Sequence, residues 1–150
     1  MSLIEQWFRA NKLTLNANKT KYIFLSPTNK HIHKLPTLEI GSKIIERVES
    51  ANFLGLQIND KLNWDSHLSL CKNKISSGLY ALNMAKNILN QSNLRLIYFS
   101  LIHPHLTYGC LLWGNTTKKL LHPLEIMQNK AVRAISHAPY NAHANTLYTN

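Results

Sequence analysis

Acidic residues are scarce in this chain. Seven Asp and Glu stand against 17 Lys and Arg over 150 residues, for a net charge of +10. The shortage sharpens along the chain. Residues 1–65 hold nine basic and six acidic residues, whereas residues 66–150 hold eight basic residues and one acid, Glu125. A polymerase or nuclease centre needs clustered carboxylates that hold two divalent ions about 3.5–4 Å apart. Here the acids are isolated; Glu46 and Glu49 are near in sequence but lie beside basic residues in a hairpin context, so no metal pair is expected. The five glycines are scattered, which excludes a glycine-rich phosphate loop. Only two cysteines occur, Cys71 and Cys110, far apart and each in an apolar helical setting. They read as reduced core residues of a reducing compartment.

Long uninterrupted apolar runs are also missing. The greasiest stretch, Leu94–Trp113, is broken by Arg95, His103, Pro104 and His105, a poor pattern for a membrane span. The first residues, Met1-Ser2-Leu3-Ile4-Glu5, lack the basic and apolar regions of a signal peptide. An intracellular protein, nuclear or cytoplasmic and not membrane-bound, is the expectation. Hydrophobic residues make up 45% of the chain and charged residues 16%, enough apolar material for an ordinary core.

The stretch Ala51-Asn52-Phe53-Leu54-Gly55-Leu56-Gln57-Ile58 divides the chain. Its length and its flanks, Glu49-Ser50 and Asn59-Asp60, predict a strand, with Gly55 as an interior bulge or a point of close backbone approach. Before it, an amphipathic helix is expected over Leu3–Lys12, with Leu3, Ile4, Trp7 and Phe8 on one face. Strands are expected over Lys19–Leu25, ended by Ser26-Pro27-Thr28-Asn29, and over Thr37–Ile40 and Lys43–Val48, with Gly41-Ser42 as a two-residue turn. After it the period becomes helical. Asn63 reads as the cap of a helix from Trp64 to about Leu89, whose buried stripe is Leu68, Cys71, Ile75, Leu79, Leu82 and Leu89. Gly78 weakens its middle by roughly 1 kcal/mol against alanine. Ser92 reads as the cap of a second helix to about Ile102, apolar all round and therefore central, which Pro104 ends or kinks. A third helix runs to about Ser136 with Pro123 in its first turn. The polar tail from Pro139 is expected to fray.

Little catalytic chemistry is visible. His31-Ile32-His33 and His103-Pro104-His105 each offer two imidazoles, but no cysteine or acid at ligand spacing accompanies them, and solvated histidines are the simpler reading. Asp65-Ser66-His67 contains triad residue types, yet neighbours at a helix start do not face one another. What remains is basic: Lys72, Lys74, Lys86, Arg95, Lys118, Lys119, Lys130 and Arg133. Any one of them reads first as a solvated side chain. As a set in an acid-poor unit they point to a polyanion, nucleic acid before an anionic membrane surface, tracked along its backbone. Trp7, Trp64 and Trp113 sit among apolar neighbours and read as core anchors.

At this point the residues resemble a known family. Trp7 followed by Asn11-Lys12-Leu13-Thr14-Leu15-Asn16 and Lys19-Thr20-Lys21 is similar to the segment just past the catalytic acidic pair in reverse transcriptases of non-LTR retrotransposons. Phe53-Leu54-Gly55, then Ile58-Asn59-Asp60, Leu62, Trp64 and His67, resembles the next motif and the entry to the thumb. Tyr98, Pro104, Tyr108-Gly109, Trp113, Gln128-Asn129-Lys130 and Arg133 resemble the helical region beyond. The resemblance implies the last edge of a polymerase palm, a primer-grip hairpin and a three-helix thumb. By that likeness Lys19 occupies the position of a lysine that protonates the leaving pyrophosphate. Phe53, Leu54 and Gly55 fall where the primer 3′ end is steadied. Lys72, Lys74, Lys86, Arg95, Lys130 and Arg133 would track the backbone of a template–primer duplex. Mg²⁺ is implied for the parent polymerase and no cofactor for these residues alone, because the Tyr/Phe-x-Asp-Asp motif is absent from them. The missing fingers and palm would be partners, and Leu3, Trp7, Phe8 and Tyr22, which such a palm would cover, are expected to form an exposed apolar patch.

The expected class is α+β: a small β unit over 1–60, a thumb-like helical domain over 61–138 and a tail over 139–150. The expected role is the duplex-holding part of an RNA-directed DNA polymerase, inactive in isolation. A stand-alone basic nucleic-acid-binding module and a helical protein-interaction domain are the alternatives, and salt-dependent duplex binding separates them.

Overall fold

Two different periodicities along one chain give two compact units, 1–63 and 64–150. The computed structural model describes residues 3–16, 18–26, 37–40 and 43–148. The class is α+β, as expected from the sequence. Pro27, the His31/His33 pair and the Gly41-Ser42 turn lie outside the described residues.

In the first unit, helix α1 (Leu3–Ala10) is amphipathic but buries none of its residues; Trp7 is 58% exposed. Of the expected apolar patch, Leu3 and Trp7 are exposed, whereas Phe8 and Tyr22 are half-buried; the reading of Trp7 as a core anchor does not hold. The expected strand over Lys19–Leu25 shrinks to β1 (Lys21–Tyr22). The region read as Thr37–Ile40 and Lys43–Val48 becomes three two-residue strands: β2 (Glu39–Ile40), β3 (Lys43–Ile44) and β4 (Glu46–Arg47). Strands β2 and β3 pair antiparallel, with Ile40 opposite Lys43. Between β3 and β4, Ile45 is buried and its N–H donates to Leu38 O at 2.8 Å. That inward turn breaks the strand. Strand β4 pairs parallel with β1, Lys21 opposite Glu46, and the Lys21–Glu46 ion pair at 3.1 Å spans the same rung.

At Ala51–Ile58 the apolar pattern predicts one strand, whereas the resemblance implies a hairpin. The stretch is a hairpin rather than one strand: β5 (Ser50–Phe53) and β6 (Leu56–Asn59) pair antiparallel, with Phe53 opposite Leu56. Leu54 and Gly55 form the two-residue loop, with φ of 49° and 83°. Positive φ at both loop positions suits the right-handed twist of the flanking strands. Gly55 meets this requirement freely, and its N–H donates to Asn52 Oδ1 at 3.0 Å. Leu54 pays a steric cost that asparagine or glycine would not. Gly55 is thus the turn residue, not a bulge.

In the second unit, α2 (Asp65–Ala85) buries Leu68, Cys71, Ile75, Leu79 and Leu82, the expected stripe; Leu89 lies beyond its end. Its start differs from the sequence reading. Trp64 is the N-cap with φ 62° and makes no side-chain cap, while the Asn63 side chain accepts from Asn59 Nδ2. Helix α3 (Gln91–Leu101) is capped by Asn90, not Ser92: Asn90 Oδ1 accepts from the Asn93 N–H at 3.0 Å. Nor is α3 central. Leu94 and Tyr98 are buried, but Leu96, Phe99 and Leu101 are exposed. Helix α2 is the hub, packing against both α3 and α6.

Pro104 does end α3; it sits in the first turn of α4 (His103–Thr107). The short α5 (Cys110–Trp113) places Trp113 in the core, its Nε1 donating to Tyr108 O at 2.9 Å. Helix α6 (Lys118–Ile135) begins five residues before Pro123, which therefore lies inside it, not in its first turn. The fully buried Ile75, Leu82, Leu94 and Ile102 centre the core, each contributing roughly 1.5–3 kcal/mol of burial. Both cysteines are free thiols. No described helix is long and apolar enough to cross a membrane.

The end of α6 redirects the tail. His137 takes φ 49°, Ala138 N–H donates to Arg133 O at 3.0 Å, and His137 N–H donates to Ala134 O at 3.4 Å. These two bonds are the Schellman pattern, with histidine in the place glycine prefers. The chain then folds back on α6 instead of fraying. Arg133 Nε donates to Ala142 O at 2.8 Å, Ala144 is buried, and a 3-10 turn over Ala144–Leu147 lets Tyr148 Oη donate to Asn129 Oδ1 at 2.9 Å.

Candidate nucleic-acid interface

Eighteen residues of α-helix make five turns at 3.6 residues per turn. Asp65, Leu68 and Ser69 therefore lie on the same edge of α2 as Asn83, Lys86 and Asn87. Both sets border α6. At the N-terminal end, a cleft of about 180 Å³ is lined by Asp65, Ser69 and Lys72 of α2 and by Lys119 and Pro123 of α6. At the C-terminal end, a groove of about 480 Å³ is lined by Asn83, Lys86 and Asn87 with Lys130, Arg133 and Tyr140. Helices α2 and α6 thus run parallel, and the two openings are the two ends of one seam.

Along this seam Lys72 and Lys86 face α6, and Lys119, Lys130 and Arg133 face α2. Each row spans 14 residues, about 21 Å of helix. Asp65 is the one carboxylate lining either opening. The described ion pairs, Lys21–Glu46 and His122–Glu125, involve none of the five cations. Five cations with one acid on a 21 Å track give a strongly positive stripe, and rotamer freedom lets lysines follow a regular array of phosphates.

Lys74 and Arg95 fall elsewhere. Lys74 lies on the opposite side of α2, where its charge acts on His67 and His105. Arg95 lines a separate cavity of about 270 Å³ with Tyr98, Phe99, His103 and Tyr148. Lys118 is exposed, one residue ahead of the seam position Lys119.

His67 is not part of a catalytic triad. It is 4% exposed, its Nε2 lies 3.5 Å from Cys71 Sγ, and its ring packs against Trp64 and Trp113. Burial, then the charge of Lys74, holds its pKa below the ordinary histidine value. Burial raises the Cys71 thiol, so it is a poor nucleophile.

In the first unit, Lys19 and Phe53 line one concavity of about 690 Å³, together with Lys21, Val48, Gln57 and Ile58. Phe53 and Leu54 project from the hairpin, 62% and 74% exposed. Gly55 keeps the tip tight.

Among the described residues no three His, Cys, Asp or Glu side chains are grouped to hold a metal ion. The Mg²⁺ implied for a parent polymerase thus finds no ligand set in them.

Tyr140, Asn83, Asn87 and His137 were not singled out as binding residues, although they line the same groove as Lys86, Lys130 and Arg133. Asn83 and Asn87 are four residues apart, a spacing that puts two polar side chains on one helix edge. Tyr140 lies in a tail whose Pro139-Tyr140-Asn141 run signals a turn, and the end of that turn is held by Arg133 Nε donating to Ala142 O.

No protein-family model matches the chain, and no solved structure matches it significantly. Curated proteins do. It is 26% identical over 115 residues to the probable RNA-directed DNA polymerase from transposon BS of Drosophila melanogaster, covering 74% of this chain and 13% of that protein. It is 21% identical over 146 residues to the probable RNA-directed DNA polymerase from transposon X-element of the same species, 95% of this chain and 16% of that protein. It is 24% identical over 144 residues to the RNA-directed DNA polymerase from mobile element jockey of D. melanogaster, 93% of this chain and 15% of that protein. The chain spans about one seventh of the length of these relatives, and over most of its own length it is similar to the RNA-directed DNA polymerases of non-LTR retrotransposons.

Proposed function

We propose that these residues form the part of an RNA-directed DNA polymerase that holds the template–primer duplex. The observation that carries the reading is the α2/α6 seam, where Lys72, Lys86, Lys119, Lys130 and Arg133 flank one track and a single carboxylate joins them. Cations so placed contact phosphates irrespective of base sequence. The similarity to mobile-element polymerases supports a primed RNA–DNA duplex as the polyanion.

In the first unit, the hairpin tip Phe53-Leu54-Gly55 steadies the primer end. Lys19, lining the same concavity as Phe53, is oriented toward the leaving pyrophosphate in the assembled polymerase. The apolar face of α1 meets the remainder of that polymerase. These 150 residues alone do not extend a primer.

Duplex binding measured by fluorescence anisotropy across salt concentrations tests the reading. Affinity falls steeply with salt, and neutralising any one of Lys72, Lys86, Lys119 or Lys130 lowers the salt slope by about 1. Lys74→Gln and Arg95→Gln, off the seam, change it less. Binding that is absent or indifferent to salt overturns the proposal and favours a protein-interaction domain. Nucleotide incorporation above background by the 150-residue chain, given divalent metal and a primed RNA template, refutes the inactivity.

A further inference from the structure

The two ends of the seam are chemically unlike. The N-terminal cleft carries Asp65 with Lys72 and Lys119. The C-terminal groove is larger, has no carboxylate in its lining, and adds an aromatic ring and two amides to its three cations. Tyr140 is 83% exposed although its backbone is tied down. The Ala142 N–H donates to Pro139 O at 3.0 Å, closing a turn with Tyr140 in its second position. Arg133 Nε then pins the end of that turn through Ala142 O at 2.8 Å. A side chain buried so little gains nothing for the core, yet its turn is anchored at two points. Asn83 is held to Leu79 O through Nδ2 at 3.0 Å, and Asn87 lies one helical turn further on.

A groove that combines phosphate-seeking cations, a presented aromatic face and amide groups matches the parts of a nucleotide: phosphate, base plane and base edge. The interior base pairs of a duplex cannot use the ring, because they are stacked on both faces. We propose that this end of the seam holds an unpaired nucleotide next to the duplex, its phosphate on Lys86, Lys130 and Arg133 and its base stacked on Tyr140. The inference rests on the duplex-holding reading and adds recognition of the single-stranded flank to it. An acidic peptide would satisfy the cations but not the ring.

The test uses the whole 150-residue chain and fluorescent RNA–DNA duplexes, blunt or carrying a short single-stranded overhang of either polarity, with 2-aminopurine at the first unpaired position. One overhang polarity is expected to bind at least about fivefold more tightly than the blunt duplex, with 2-aminopurine fluorescence quenched on binding. Tyr140→Ala removes the gain and the quenching, and Tyr140→Phe and Tyr140→Trp restore both. Equal, salt-dependent affinity for blunt and overhanging duplexes overturns this inference and leaves the duplex reading standing. No binding to either overturns both. A gain that survives Tyr140→Ala, or tighter binding of poly-glutamate than of any overhanging duplex, also overturns it, the latter in favour of an acidic protein partner.

Discussion

Gly78 illustrates how one residue changes meaning between sequence and structure. By propensity it weakens the middle of α2, and alanine would gain roughly 1 kcal/mol. A Cβ there would meet Ile102 Cγ1 at 2.7 Å and Leu101 O at 3.0 Å. Ile102 is fully buried and cannot step aside. Crowding at this crossing outweighs propensity, so Gly78→Ala is expected to destabilise the protein by about 1–3 kcal/mol in urea unfolding. His67 shows the same contrast for charge. Its pKa is lowered in the folded state from 6.5 by burial, then by Lys74. The unfolded chain therefore binds a proton that the folded one resists. The His67 contribution to stability is constant above about pH 7.5 and falls as pH drops through 6.5. His67→Gln is expected to reduce that fall in pH-dependent melts, leaving the same-direction contribution of His105.

At the scale of elements, apolar period locates the buried face of α2, because a stripe of Leu and Ile has one way to leave water. Termini were less legible. Asn90 and Ser92 are both good caps, and which one is used depends on where Leu89 and Leu94 pack. Asn90 holds the Asn93 N–H. Asn90→Ala is accordingly expected to cost about 1 kcal/mol, while Ser92→Ala stays within about 0.5 kcal/mol by thermal or urea unfolding. At Ser50–Asn59 the apolar pattern alone predicts a single strand, not the hairpin that the resemblance implies and the structure contains, for a local reason. Leu54-Gly55 does not announce a two-residue turn as Asn-Gly does, since leucine seldom enters the left-handed region. The exposed Phe53 and Leu54 of the candidate site became a hairpin tip only once that turn closed.

At the scale of the whole chain, the charge asymmetry was visible in composition, and the seam was not. Residues 64–150 hold the buried core around Ile75, Leu82, Leu94 and Ile102, whereas α1 and the short strands of the first unit bury little. A chain restricted to residues 64–150 is therefore expected to be helical by circular dichroism and to unfold cooperatively. A non-cooperative melt of that piece would show that its core needs the first unit.

The order of motifs, the excess of Lys and Arg, the amphipathic stripes and the resemblance to a mobile-element polymerase were all determined by sequence, because each is a property of neighbours along the chain. Which cations share a track was decided by tertiary structure. Lys72 and Lys119 are 47 positions apart and Lys86 and Arg133 are likewise, and nothing along the chain says that α2 and α6 lie parallel. That pairing follows from burying two apolar stripes against each other, and it leaves Lys74 on the far side of the same helix. The tail's return over α6, which presents Tyr140 beside three cations, likewise depends on a contact between Arg133 and Ala142 that only the folded chain can make.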